Sequence, residues 1–433
     1  MSDTNSSGSG VFQVSVVGGG IAGLAAALAL RRNGHHVQVL EASEDKTEIG
    51  AGLNVPQNAL RVLDHFGISR ESLQGIPFLG VRSNILLHPR SSNMKQAVSI
   101  DNDTGESTTN RFPEVNGLER SVGLFCHRAD LYEALKRVAT GEGDGPSVKL
   151  RLGAKVLSCN PEAGTVYLNN GEVVQADLVL GADGGHNSVV RTDIVGKVQK
   201  ITYSGVSCFR AVFEFLERPE LRWLTEEVTG PRTFASKEGP FRMLLMFLCR
   251  GGKLLNFVGF YDDPLQDVED WSPKATREDI IAKFKGFHPK FLSVLDLPSH
   301  SEILKWRLGV LPPLPTWIRG RAALVGDSAH ATLPFLAQGA AMAIEDAGAL
   351  GCLFPAGTKP RDVPERLKVY QDLRKERGEF VNIATVEQLK HLKSRGAFGR
   401  VHTVGLDRLY GYNTINTAQQ CYEKHFGSRP LAN

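Results

Sequence analysis

A chain of 433 residues, 42% hydrophobic and 22% charged, is long enough for two domains or one large discontinuous domain with an ample core. Its formal net charge of +3, with Lys and Arg scattered, excludes a nucleic-acid stripe. No apolar run is both uninterrupted and long enough to cross a bilayer.

Residues 1–10, MSDTNSSGSG, are polar and are expected to be a disordered tail. The apolar run after them lacks a basic leader and is broken by glycines, so no signal peptide or anchor is expected. Val14–Glu41 reads as strand, glycine turn, helix and strand. Gly18, Gly20 and Gly23 fall at G-x-G-x-x-G spacing. Gly18 permits the tight turn, Gly20 lets a pyrophosphate approach the backbone, and Gly23 lets helix and strand pack closely. The helix N-terminus offers free N–H groups and partial positive charge to a phosphate. Glu41 ends the second strand, where it can accept hydrogen bonds from a ribose diol. The motif leaves NAD and FAD both open.

A loop with Gly50, Gly52 and Pro56 follows, then a helix over about 57–66 with Ala59, Leu60, Leu63 and Phe66 inward. Residues 81–117 mix short strands with polar loops such as 101–110. A helix begins near Ala129 and turns Leu131, Leu135 and Val138 to the core; His127 and Arg128 precede it, where a cation meets a phosphate. Residues 165–168 and 172–175 form a hairpin about Asn169-Asn170-Gly171. Leu178–Leu180 is a buried strand that ends in Asp183, Gly184 and Gly185, a second close backbone approach to a ligand.

The pattern changes between Thr202 and Asp262. Residues 207–215, 243–249 and 254–261 read as strands without helices between them, which predicts a second, mainly antiparallel domain. A short helix over 275–284 turns Ile280, Ile281 and Phe284 inward. Residues 322–325 form a strand that turns at Gly326-Asp327. Gly339–Phe354 is a helix whose free N–H groups face the cleft. Residues 364–392 hold one or two long amphipathic helices, and the tail to Asn433 reads as irregular. The six cysteines are spread without a C-x-x-C pair, which points to free thiols, a reducing compartment and hence the cytoplasm, with no metal site.

Three ligand-type turns, Gly18–Gly23, Asp183–Gly185 and Gly326–Asp327, exceed what a simple NAD dehydrogenase needs. Together with His-Arg-Ala-Asp-Leu at 127–131, GADGGHNSVVR at 181–191, GDSAHATLPFLAQGAAMAIEDA at 326–347 and YQDLRKER at 370–377, they make the sequence resemble the class A flavoprotein aromatic hydroxylases. These are the salicylate-hydroxylase-like FAD-dependent monooxygenases, and the resemblance covers about residues 12–415. It implies an α/β fold: a Rossmann-like, glutathione-reductase-like FAD-binding domain (11–80, 120–200 and 302–360), an inserted antiparallel β substrate domain (81–119 and 201–301), and C-terminal helices (361–433).

By resemblance, Gly18, Gly20 and Gly23 bind FAD and Glu41 holds its adenosine ribose. Arg128 contacts the phosphates or ribityl region. Asp183 and Gly184 pack near the pyrophosphate and help admit the nicotinamide co-substrate. Asp327 holds the ribityl hydroxyls, Pro334 lies beside the reactive flavin edge, and Gly339 and Ala340 face the flavin pyrimidine. Arg210 is read either as the partner of a substrate carboxylate or phenolate or as a surface or interdomain ion pair. Phe247 stands where relatives place a Tyr-Pro pair, so no phenol hydroxyl is expected there. His330 is read as packing the motif turn, and His127 and His186 as structural or cofactor-adjacent rather than as bases.

The implied reaction uses NAD(P)H and O2: reduced FAD forms a C4a-hydroperoxide that oxygenates a phenolic or other aromatic small molecule, including an intermediate of secondary metabolism. Hydroxylation, decarboxylative hydroxylation, dearomatisation and epoxidation all remain open. The alternatives are a dehydrogenase or reductase of the same fold and a flavin-bound redox sensor. No nucleic acid or membrane span is expected, and the chain is read as a monomer or homodimer.

Overall fold

The computed structural model describes residues 11–45, 50–78, 96–101, 107–111, 123–225, 231–236, 239–264, 274–395 and 406–427. Its first layer is a six-stranded sheet. The Gln13–Val17 strand lies inside it, between His36–Leu40 and Leu178–Gly181, and pairs in parallel with both. Ala322–Leu324 extends the sheet in parallel beyond Leu178–Gly181, and Lys149–Arg151 extends it beyond His36–Leu40. Ile318–Arg319 closes one edge antiparallel. These strands are nearly continuous β-branched and aliphatic runs because both sheet faces are covered.

The Ile21–Arg31 helix packs against the Gly339–Leu353 helix. Both are built of Ala, Gly and Leu and are buried almost all round, as helices inside a large core are. Gly351 sets the close approach: a Cβ there would lie 3.2 Å from Ala29 Cβ. The 33-residue Val363–Arg395 helix closes this side, and its Tyr370 hydroxyl donates to Leu324 O at 3.0 Å.

The second layer is a seven-stranded sheet in the order Leu304–Val310, Thr202–Glu214, Leu254–Asp262, Arg242–Cys249, Arg232–Ala235, Gln96–Asp101, Ser107–Arg111. All neighbours are antiparallel except the pair of Arg232–Ala235 with Gln96–Asp101. Side chains alternate with a period of two along its central strand. Phe209, Ala211 and Phe213 enter a core with Ile280, Phe284 and Phe291. Cys208 faces the other way, among Val258, Phe260, Leu333 and Phe335, and Phe260 and Phe335 rings are 5.1 Å apart. Arg210, two residues from Cys208, shares this face.

Four local expectations are corrected. The segment read as a loop around Gly52 and Pro56 is the strand Gly52–Pro56, which pairs antiparallel with Gly123–His127; its partner lies about 70 residues away, so no local pattern announces it. Ile281 is 48% exposed, because the Arg277–Lys283 helix is short and buries only the Ile280 and Phe284 stripe. The tail read as irregular folds into Leu406–Tyr410 and Thr414–Phe426, the latter capped by Asn413, whose side chain accepts from Asn416 N. Residues 364–392, read as one or two long amphipathic helices, belong to the single helix Val363–Arg395. Much of 81–117 lies outside the described residues, but Ser107–Arg111 is a strand within the stretch read as a polar loop.

Candidate active site

The first glycine turn is built as its spacing requires. Gly18 has φ +107°, and a Cβ there would come within 2.3 Å of Ala182 O. A Cβ at Gly23 would come within 1.9 Å of Gly18 O. Gly20 differs: a Cβ there would meet nothing within 4 Å, so its surface is open toward a ligand. Glu41 is buried, and its carboxylate accepts from Gly19 N at 2.8 Å and Ser43 N at 3.0 Å. It therefore secures the turn from the end of the neighbouring strand.

The second and third turns are tied to each other and to the first. A Cβ on Gly326 would lie 2.6 Å from Ala22 Cβ, so this turn abuts the first helix. Asp183 accepts from Ser188 Oγ at 2.5 Å, Ser328 Oγ at 3.0 Å and Val189 N at 2.7 Å. Its carboxylate is thus engaged in fixing the turn, and it is the Gly184 backbone that is left facing outward, with nothing within 4 Å of its Cβ direction. Buried Arg191 holds the segment from behind through Gly185 O at 2.7 Å, His186 O at 3.0 Å and Ser328 O at 3.2 Å. Asp327 opens the Asp327–His330 helix and is exposed, whereas Ser328, Ala329 and His330 are buried.

His330 packs the motif, as expected, with Nε2 at 2.7 Å from Asp346 Oδ2. Asp346 also accepts from Gly326 N and Arg374 Nε. Burial pushes the Asp346 carboxyl up, but His330 and Arg374 outweigh it and hold the group below the usual carboxylate range.

The turn from Pro334 to Ala340 leads into the Gly339–Leu353 helix. Pro334 is exposed among buried Leu333, Phe335 and Leu336. Ala337 sits in the left-handed region at φ +53°, a conformation usually left to glycine. The helix start carries neither an acidic residue nor a side-chain cap. A Cβ on Gly339 would meet nothing within 4 Å. Free N–H groups and open backbone therefore coincide, which suits a flavin ring that becomes anionic on reduction.

Arg128 is the first residue of the Arg128–Thr140 helix, where a cation opposes the helix dipole and an anionic partner relieves the conflict. It lies close enough to Arg210 to lower that guanidinium's proton affinity, a smaller effect than burial itself. Arg210 donates to Gly52 O at 3.1 Å and lies over the Trp306 ring at 4.6 Å. Among the described residues it makes no salt bridge. Gly52 N donates to Asn256 Oδ1 at 2.8 Å, and Phe247 stacks on Phe125 at 4.4 Å. His127 is buried beside Arg250, and burial, then Arg250, push it down to about 4, so it is neutral at pH 7. A neutral imidazole beside a guanidinium fits the structural reading.

Sequence reasoning did not single out Ser328, Asn58, Glu345 or the Arg250–Asp130 pair. Ser328 follows Asp327 directly and could have been found from its motif. Asn58 and Glu345 look like ordinary polar residues on helices until the fold brings them together. The Arg250–Asp130 pair, at 2.6 Å, joins the seven-stranded sheet to the helix that begins at Arg128.

The residues present fit FAD: three converging turns, open backbone at Gly20, Gly184 and Gly339, an exposed acid at Asp327, and a buried Gln338 Nε2 without a partner. Fold and site define a Rossmann-type FAD-binding protein. The chain belongs to the family described as FAD binding domain, whose model matches residues 11–98 and 156–384. It is an FAD-dependent oxidoreductase.

The chain is 35% identical to hispidin-3-hydroxylase of Neonothopanus nambi over 93% of its own length and 94% of that protein's. It is 30% identical to 3-hydroxybenzoate 6-hydroxylase of Klebsiella oxytoca, over 94% and 98% of the two chains. The fold matches a solved salicylate hydroxylase substrate complex with a TM-score of 0.72 at 22% identity, covering 98% of this chain and all of that one. A crystal structure of CtdE with FAD and a substrate matches with a TM-score of 0.77 at 20% identity, covering 95% and 98%. Among the described residues no helix is long and apolar enough to cross a membrane, and no cluster of His, Cys, Asp or Glu could hold a metal.

Proposed function

We propose that the chain is a single-component, NAD(P)H-dependent aromatic hydroxylase whose substrate is a small phenol or enol held as its anion. The observation that carries this reading is Arg210: a cation on the inner face of the seven-stranded sheet, stacked on Trp306, near a second cation and, among the described residues, with no acid paired to it. A buried cation without a counter-charge is costly, and an anionic ligand offsets that cost. Two relatives are named as hydroxylases, one of hispidin and one of 3-hydroxybenzoate, which supports the same class.

When bound, FAD supplies the electrons and oxygen activation. Asp327 would hold its ribityl chain, Glu41 its adenosine end, and Arg128 its phosphates, with Gly18–Gly23, Asp183 and Gly184 shaping the pyrophosphate groove. Gly339 and Ala340 would direct N–H groups at its ring, and Pro334 would border the reactive edge. Arg210 holds the substrate oxyanion, which makes the ring a better nucleophile toward an electrophilic oxygen. Phe247, Phe125 and Trp306 exclude water from the same space. In this reading the six-stranded layer is the cofactor domain and the seven-stranded layer the substrate domain.

Arg210→Ala and Arg210→Lys test the assignment. Both are expected to retain FAD. Arg210→Ala loses about two orders of magnitude in substrate-stimulated kcat/KM, the scale of removing one charge-stabilising donor, and Arg210→Lys recovers part of it. Unchanged kinetics in Arg210→Ala would remove Arg210 from the substrate site.

A further inference from the structure

We propose that Asn58 is a positioning residue for the flavin-edge turn, acting through Gln338. The Asn58 amide lies on the Gln57–His65 helix, is fully buried, and donates to two acceptors: Gln338 Oε1 at 3.0 Å and Glu345 Oε1 at 2.6 Å. Gln338 is the residue that precedes the open Gly339 backbone, and it follows the strained Ala337. A turn that holds an alanine in the left-handed region needs its neighbours to fix it. From the helix side Met342 N holds Gln338 O at 2.8 Å, but no side chain caps the helix start, so the Gln338 side chain itself is not fixed from there. The Asn58 bond supplies the missing restraint.

Behind Asn58 stands a rigid frame. Glu345 is fully buried and is met by Arg374 at 2.8 Å and Arg377 at 3.0 Å. Burial pushes the Glu345 carboxyl up, but the two guanidiniums outweigh it, so the group is a fixed anion that orients the Asn58 amide. Arg377 is anchored in turn by Leu409 O, at 2.8 Å. Asn58 therefore links an ion lattice to the Gln338 side chain of a turn whose other side-chain tie among the described residues is the Tyr410 hydroxyl on Leu336 O at 3.3 Å, and Gln338 Nε2 is left free of protein partners. This inference rests on the assignment of Gly339 and Ala340 to the flavin edge.

The test measures FAD affinity by titration of apoprotein and the two-electron potential of bound FAD by dye equilibration. Asn58→Ala is expected to fold, to bind FAD about tenfold more weakly, and to show a tenfold smaller preference for reduced over oxidised flavin, a potential about 30 mV more negative. The direction follows from a looser helix N-terminus beside an anionic ring. Asn58→Ser retains one donor, which goes to charged Glu345 and leaves Gln338 untied; it is expected to match Asn58→Ala and carries the same readings should the alanine variant fail to fold. The double variant Asn58→Ala/Gln338→Ala is expected to be no worse than either single one, since both break one link.

Asn58 variants that melt earlier yet hold FAD affinity and potential unchanged would overturn the proposal and leave Asn58 a packing residue. Gly339→Val separates the two layers of the argument. If it binds FAD normally, the flavin-edge assignment fails and the proposal with it. If it loses FAD while the Asn58 variants do not change, only the positioning role fails.

Discussion

Asp183 and Ser328, 145 residues apart, meet through a hydrogen bond of 3.0 Å, and the same Ser328 hydroxyl oxygen accepts from Gly184 N at 2.9 Å. One hydroxyl thus fixes two of the three ligand-facing turns relative to each other. Neither turn needs the other to fold locally, but a ligand that touches both needs them in register.

Ser328→Ala is expected to lower stability by about 1–2 kcal/mol, the cost of leaving two partly buried groups, the Asp183 carboxylate and Gly184 N, short of a partner. Its larger effect falls on FAD: a dissociation constant raised about tenfold, because the two turns lose their shared tie. Fluorescence titration alongside thermal melts separates the two effects. A melt shift with unchanged affinity would show that the turns are aligned by packing alone.

Gly18 and Gly20 should respond differently to alanine. At Gly18 the new Cβ meets Ala182 O at 2.3 Å and φ is +107°, so Gly18→Ala damages the apoprotein itself. At Gly20 the new methyl meets only empty space, so Gly20→Ala should melt like wild type and lose at least tenfold in FAD affinity. Equal melting temperatures for the two variants would contradict this division.

Asp327→Ala is expected to purify folded and largely colourless. The side chain is exposed, so its loss leaves no cavity in the core. A variant that retains full flavin absorbance at 450 nm (the ordinary flavin band, to about 10 nm) would place the ribityl contact elsewhere.

Acid should destabilise the fold through buried histidines. Burial pushes His35 down to about 4 against the hydrogen bond to Phe354 O, 3.0 Å away, and its ring stacks on Phe12 at 3.9 Å. Its folded value lies below the unfolded one near 6.5, so from that pH down to about 4 the unfolded chain binds more protons and stability falls with pH. The loss is of order 3 kcal/mol for this group. His35→Gln, which retains a donor for Phe354 O, should flatten the melting-temperature profile over pH 6.5 to 4. An unchanged profile would assign the acid sensitivity to other groups such as His127.

What the sequence made legible was local. Strand, glycine turn, helix and acid from Val14 to Glu41 sit on adjacent residues, so spacing and propensity identify them, and the Asp183 and Asp327 turns follow strands in the same way. The Gly52–Pro56 strand was not legible because hydrogen bonds to Gly123–His127 create it. The Thr414–Phe426 helix carried its signal in Asn413 and the inward Ile415, Ala418 and Tyr422, but a short polar helix gains its stability from the surface it docks on. Arg210 illustrates the limit for function: its residue type allowed a surface ion pair or a substrate contact, and only the sheet register, which no local pattern announces, sets it on the face of Cys208 and over Trp306.

The central claim is tested most directly by aerobic NAD(P)H consumption of the FAD-loaded protein across phenols, hydroxybenzoates and other aromatic acids, with product masses read in parallel. The account predicts that at least one acidic phenol or enol accelerates consumption and gains one oxygen atom, and that Arg210→Ala abolishes the acceleration. Consumption that every compound leaves unaccelerated and every product mass unchanged would contradict it, and would return the chain to a flavin reductase of the same fold.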